Sequence, residues 1–291
     1  EIYTYAVVGS VRCVLETGLA SFPKSGNTWL RAFLINFMAN QQEPVSLDAL
    51  SSFGYSDAHA WPYQQVIGKE LASLSDAEIL RRREEVHQYY VDRQPQHAFI
   101  KTHNIDGKVG GLAMFSHRNT LGVIYIVRNP WDVALSYGDH FGITIDDAIE
   151  SIAQPTLMTE PSARNVRQYL GSWSGHVASW HRPRPIKRLT ILYEDMQKSP
   201  VKTFNKVARF LGMPDDPIRL QRAVEFSSFA ELSAQESKTG FVEKSSSADR
   251  FFRSGRAGGW RDALNNTQIA QIEADHKDVL TKLGYLDKAG K

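Results

Sequence analysis

The run over residues 121–127, Leu-Gly-Val-Ile-Tyr-Ile-Val, is apolar on both faces and constrains the fold of this chain more than any other stretch. A strand with one face in water alternates polar and apolar side chains. One that does not alternate must be covered on both sides, as in a parallel sheet between helices. Pro130 follows, well placed in the first turn of a helix running to Tyr137. Further strand candidates lie at residues 97–101, at 189–193 and within 1–22, where Glu16-Thr17-Gly18 interrupts the apolar run. Helical patterns at 26–38, 162–180, 201–211 and 267–283 alternate with them, and Ser75-Asp76-Ala77-Glu78 reads as another helix start. Such alternation predicts an α/β fold of three layers, a mostly parallel central sheet flanked by helices, with ligands bound beyond the carboxyl ends of the strands.

A length of 291 residues with 42% hydrophobic content suits one domain over 1–291, residues 1–18 forming an arm or a strand. The net charge is +2, so no global field draws nucleic acid or an anionic membrane, and any anion site must be local. The run Arg81-Arg82-Arg83-Glu84-Glu85 balances its own charge and reads as a solvated helix face. A single cysteine, Cys13, excludes an internal disulfide and a multi-cysteine zinc site. No apolar stretch approaches the roughly 20 residues of a membrane span, and Glu1-Ile2-Tyr3-Thr4-Tyr5 lacks the basic start of a signal peptide. A cytoplasmic location is the expectation.

Chemistry concentrates first at Phe22-Pro23-Lys24-Ser25-Gly26-Asn27-Thr28-Trp29, where an apolar segment gives way to an amphipathic helix whose apolar positions are Trp29, Leu30, Phe33, Leu34, Phe37 and Met38. Free backbone N–H groups at a helix start suit a phosphate or sulfate. Gly26 lets the backbone approach, Lys24 adds charge, and Ser25, Asn27 and Thr28 add donors. Taken alone, the stretch reads equally well as a plain helix start with a surface lysine. It is not the nucleotide-binding G-x-x-x-x-G-K-[ST] loop, because the lysine precedes the glycine. Kinases meet the charge of a phosphoryl group with metal, so a loop without that pattern favours the less charged sulfuryl group.

Three more constellations lie at or beyond the strand ends. Lys101-Thr102-His103 offers a histidine suited to general-base work. Arg128 and Ser136, in Arg-Asn-Pro-Trp-Asp-Val-Ala-Leu-Ser, could grip one phosphate, or Arg128 could pair with Asp132. The third, Phe252-Arg253-Ser254-Gly255-Arg256-Ala257-Gly258-Gly259-Trp260, sits in a long loop over residues 237–259 and reads as a flap over an anion or as a flexible basic loop.

Together, in order and spacing, the four resemble the 3′-phosphoadenylyl-sulfate-dependent sulfotransferases, from about Leu19 to Trp260. The family loop Pro-Lys-Ser-Gly-Thr-Thr-Trp corresponds to residues 23–29 with Asn27 for the first threonine; Arg-Asn-Pro-x-Asp-x-x-x-Ser is intact at 128–136. Arg-Lys-Gly-x-x-Gly-Asp-Trp corresponds to residues 253–260, with Ser254 for lysine and Gly259 for aspartate.

The resemblance implies a P-loop-related sulfotransferase fold and transfer of a sulfuryl group from 3′-phosphoadenylyl sulfate (PAPS) to a hydroxyl or amine of a small-molecule acceptor. The product nucleotide is 3′,5′-diphosphoadenosine (PAP), and no metal takes part. It implies His103 as catalytic base, Lys101 as a supporting cation and Lys24 as the group stabilising the leaving phosphate. Ser25, Gly26, Asn27 and Thr28 would hold the 5′ phosphosulfate; Arg128, Ser136, Arg253, Ser254 and Gly255 the 3′ phosphate. Trp29 would stack on adenine, with Tyr193, Ser227 and Phe229 at the nucleoside. The acceptor would meet residues 53–63, 137–141 and the loop around Phe241, whose aromatic side chains allow a flat or apolar molecule or serve as packing. Competing readings are a metal-dependent small-molecule kinase and a nucleotide-binding module without catalysis. A dimer motif known from some family members is not found over residues 267–291, and oligomeric state is not legible.

Overall fold

The computed structural model describes residues 15–93, 97–118, 120–245 and 247–287. Of the arm or strand expected over residues 1–18, residues 1–14, with Cys13, lie outside the described residues, and residues 15–18 belong to a strand. Strands β1 Leu15–Ser21, β2 Tyr55–Ser56, β3 His97–Thr102, β6 Thr120–Val127 and β7 Lys187–Leu192 form a five-stranded sheet, while β4 Lys108–Val109 and β5 Leu112–Ala113 make a separate antiparallel pair. The main sheet is parallel throughout, in the order β2-β3-β1-β6-β7.

Strand β6 carries the two-faced pattern. Val123, Tyr125 and Val127 pack among the helices Pro130–Phe141, Ile145–Ala153, Trp173–His181 and Asn266–Leu283. Ile124 and Ile126 pack on the opposite face with Asn27–Ala39, Pro200–Phe210 and Pro217–Phe226. The three-layer expectation is met; only Leu121, at the start of the strand, stays 51% exposed. Among the described residues no helix is long and apolar enough to cross a membrane.

The middle strand is β1, and it continues through Glu16-Thr17-Gly18 as one strand whose register against β6 shifts between Glu16 and Thr17. Glu16 is fully buried there because its Oε1 accepts from Thr120 Oγ1 at 2.7 Å and meets His87 Nδ1 at 3.0 Å. Gly18 is required by packing, since a Cβ would lie 2.7 Å from the Phe115 ring. Three other expectations need correction. Met38, assigned to the apolar face of its helix, is 44% exposed. The helix expected over 162–180 is confined to Trp173–His181. Ser162 Oγ accepts from the amides of Arg164 and Asn165, which competes with helix formation, and Ser172 caps the later start by accepting from Gly175. Tyr193 opens the helix Tyr193–Lys198 instead of ending β7.

The shortened helix leaves residues 158–169 folded back on themselves, Met158 opposite Tyr169, with residues 164–166 paired antiparallel to residues 58–60 through Ala60 N to Arg164 O at 2.8 Å and Val166 N to Ala58 O at 2.7 Å. This wall is pinned beneath by buried Asp57, whose Oδ2 receives Arg83 Nη1 and Asn104 Nδ2, both at 3.0 Å. Asp57→Ala strands the Arg83 guanidinium in the core. We expect a loss of about 3–5 kcal/mol in unfolding free energy, measured as a lowered urea midpoint at unchanged slope.

Candidate active site

The carboxyl ends of β1, β3 and β6 open on one cavity of about 1040 Å³. The cradle forms its floor. Lys24 has φ 64° and Gly26 φ 105°, a tight turn that ends where the helix Asn27–Ala39 begins. A side chain at Gly26 would put its Cβ 2.7 Å from the Tyr193 ring, so the turn needs glycine twice over. The Ser25 Oγ, Asn27 Oδ1 and Trp29 Nε1 atoms are buried without a hydrogen-bond partner among the described residues. Asn27 Nδ2 donates to Leu19 O at 2.9 Å, so this asparagine braces the loop, and its donor is turned from the position the sequence comparison implied. Thr28 Oγ1 lies 3.5 Å from Glu243, and Trp29 meets Tyr193 and Phe204 edge to face.

Burial, reinforced by the charges of Lys101 and Arg128, lowers the Lys24 amine to about 8. Burial also lowers Lys101, although Glu243 partly offsets it. Beyond the end of β3, His103 Nδ1 donates to Ser21 O at 2.7 Å, which leaves Nε2 with its lone pair free. Burial and the Lys101 charge hold the imidazole down at about 3, so it is neutral in ordinary buffers. Cations packed this closely, beside orphaned buried polar atoms, fit a polyanionic ligand.

Arg128 does not pair with Asp132. It donates to Lys24 O at 3.0 Å and Arg256 O at 3.1 Å, and lies 4.4 Å over the Tyr193 ring, its Nε without a partner among the described residues. It therefore ties the cradle to the glycine-rich loop. Asp132 anchors that loop instead, accepting from Gly258 N at 2.7 Å and Trp260 N at 3.1 Å. Gln197 donates to Gly255 O, and the Glu236 carboxylate receives the amides of Phe251 and Phe252. Arg253 pairs with Asp139 at 3.3 Å and is half exposed. Ser136, Tyr193, Phe229, Arg253, Ser254 and Gly255 all line the cavity. The loop is thus held at both ends, a flap with fixed anchors.

Ser227 is not brought to the site. It is fully buried, its hydroxyl donating to Ala223 O at 2.8 Å, and it does not line the cavity. Most of the aromatic side chains considered for an acceptor are core: Tyr63 donates to Asp57 O, Phe53 packs on Phe99, Tyr137 on Phe22, and Phe241 on Phe251 and Phe252. His59, Trp61, His140 and Phe141 do face the cavity, with Gln64 from the helix Ala60–Ile67 and Asn165 and Gln168 from the folded segment beside it. Sequence reasoning missed Arg31, Asp132, Gln197 and Glu243. Only Asp132 stood in a motif, and its anchoring role there had no local signal.

Comparison with known proteins adds an independent finding. A family model described as the sulfotransferase domain matches residues 16–284. Sulfotransferase 1B1 of Mus musculus is 27% identical over 277 residues, covering 90% of this chain and 82% of its own. Flavonol 3-sulfotransferase of Flaveria bidentis is 26% identical over 286 residues, covering 91% and 81%. Among solved structures, a retinol dehydratase in complex with androsterone and inactive cofactor PAP superposes with TM-score 0.63 at 21% identity, over 91% of this chain and 80% of that one.

Proposed function

Since the chain belongs to the sulfotransferase domain family, we propose that it acts as a single domain transferring a sulfuryl group from PAPS to a hydroxyl of a small-molecule acceptor. The observation that carries this reading is the state of His103. Its Nδ1 proton is engaged by Ser21 O, and Nε2 is left as an acceptor on the cavity that Lys24 also lines.

The cradle amides, Ser25, Thr28 and Lys24 hold the 5′ end of the nucleotide. Arg128, Ser136, Arg253, Ser254 and Gly255 hold the 3′ phosphate, and Trp29, Tyr193 and Phe229 flank the nucleoside. When bound, PAPS supplies a sulfuryl group already activated on a phosphate. His103 takes the acceptor proton at Nε2 as the acceptor oxygen attacks sulfur, and Lys24 neutralises the charge gathering on the phosphate oxygen. A polyanion among these cations also offsets the Lys101 charge that depresses His103, bringing its basicity back toward the ordinary imidazole range.

Lys24 sets a pH dependence. Its ammonium is the binding form and persists below about 8 in the free protein. PAP affinity should therefore be flat from pH 6 to 7.5 and weaken as pH rises above 8, by up to about tenfold per unit. Lys24→Arg should abolish the dependence, because guanidinium keeps its proton. Calorimetric titrations across that range decide it.

The same instrument tests the function. PAP should bind without added metal and raise the melting temperature. Tight binding of ATP that requires Mg²⁺, with none of PAP, favours the kinase reading instead.

A further inference from the structure

Glu243 lies among the cations of the cavity, on the loop that follows the helix Phe229–Thr239. Its Oε1 accepts from Arg31 Nη1 at 2.7 Å. Its Oε2 lies 3.3 Å from Lys101 Nζ and 3.5 Å from Thr28 Oγ1. Lys24 and His103, assigned above to the two sides of the reacting sulfur, both sense its charge. Arg31 is itself fixed, donating to Phe53 O and Leu50 O, so its guanidinium cannot follow the carboxylate away. Beside it on the loop, Val242 is 63% exposed.

Thr28 and Lys101 belong to the phosphosulfate end of the proposed donor site. A carboxylate touching both stands where a second anion is to bind, and like charges at contact distance disfavour each other. We infer that Glu243 occupies the sulfuryl subsite as an internal counter-anion, leaves it when a sulfuryl group enters, and returns when only PAP remains. Before binding it keeps Arg31 and Lys101 paired in the core. After transfer it refills the subsite that the sulfuryl group has left, which favours the product nucleotide over the donor. Glu243 is thereby a specificity-determining residue for donor against product. This rests on the sulfotransferase reading above.

The test compares dissociation constants for PAPS and PAP in wild type, Glu243→Gln and Glu243→Ala, by calorimetry without acceptor. Glutamine keeps the shape and an acceptor oxygen and removes the charge; alanine removes both. Both variants should bind PAPS about tenfold or more tighter than wild type while PAP changes less than about threefold, so the ratio of the two constants falls. An unchanged ratio, equal weakening of both nucleotides, or loss of the folded state in both variants overturns the inference and makes Glu243 a structural tie. Those outcomes leave the sulfotransferase reading standing, provided wild type binds both nucleotides. Wild type that binds neither refutes that reading and this inference with it.

Discussion

His103→Ala should lower kcat by about 10²- to 10⁴-fold, the usual contribution of a general base, while PAP affinity and melting temperature stay near wild type. The expectation comes from a side chain with one engaged nitrogen and one free. Ser21 O holds the Nδ1 proton and so fixes both tautomer and ring orientation. Among the described residues the imidazole makes no ion pair whose loss would unfold the protein, and its neighbour Lys101 is held separately by Glu243. His103→Gln is the sharper variant. It can hydrogen-bond but cannot accept the proton, so it should be nearly as slow as alanine. Near-normal turnover in both variants would remove His103 from the mechanism.

Lys24→Ala should cost about 10²- to 10³-fold in kcat, the scale for deleting one preorganised group at a developing negative charge. It should also weaken PAP. The backbone complicates the choice of variant, because Lys24 sits at φ 64°, where a side chain is strained. Alanine keeps that strain and isolates the ammonium, whereas glycine would relieve it and mix a stability gain into the result. The amine also lies 4.4 Å over the Phe251 ring, so its loss frees part of the flap. Comparing kcat with KM separates the effects: loss of leaving-group stabilisation appears in kcat, and loss of nucleotide binding in KM.

How far these roles were legible depends on the range of the interactions behind them. The two-faced run at 121–127 and the amphipathic helix after Gly26 are local patterns, and both elements stand where the patterns put them. The first strand was harder to read, because Glu16 is polar in sequence and acceptable in the core only through His87 and Thr120, 71 and 104 residues away. The helix at 162–180 failed for the opposite reason, since Ser162 and Ser172 redirect the backbone locally while apolar spacing suggests continuity.

The site divides in the same way. Arg128, Ser136, Arg253 and Gly255 were placed on the cavity by motif, yet the anchor that makes the last two a flap is Asp132, reaching across 126 residues to Gly258. Glu243 is separated by 212 residues from Arg31, and a glutamate in a Ser- and Lys-rich loop carries no sign of burial. Ser227 runs the other way. Its place in the family pattern implied a ligand contact, and its hydroxyl instead closes a bond inside its own helix turn.

The central claim is that the cradle and His103 together move a sulfuryl group. Incubation of the protein with sulfur-35-labelled PAPS and a pool of small hydroxylated acceptors, followed by chromatography and mass identification, tests it most directly. The account predicts label in an acceptor that has gained one sulfuryl group, with PAP released in equal amount, and its loss in His103→Ala and Lys24→Ala proteins that still melt normally. Wild-type protein that binds PAP yet passes no label to any acceptor, or that instead phosphorylates acceptors from ATP, would contradict it.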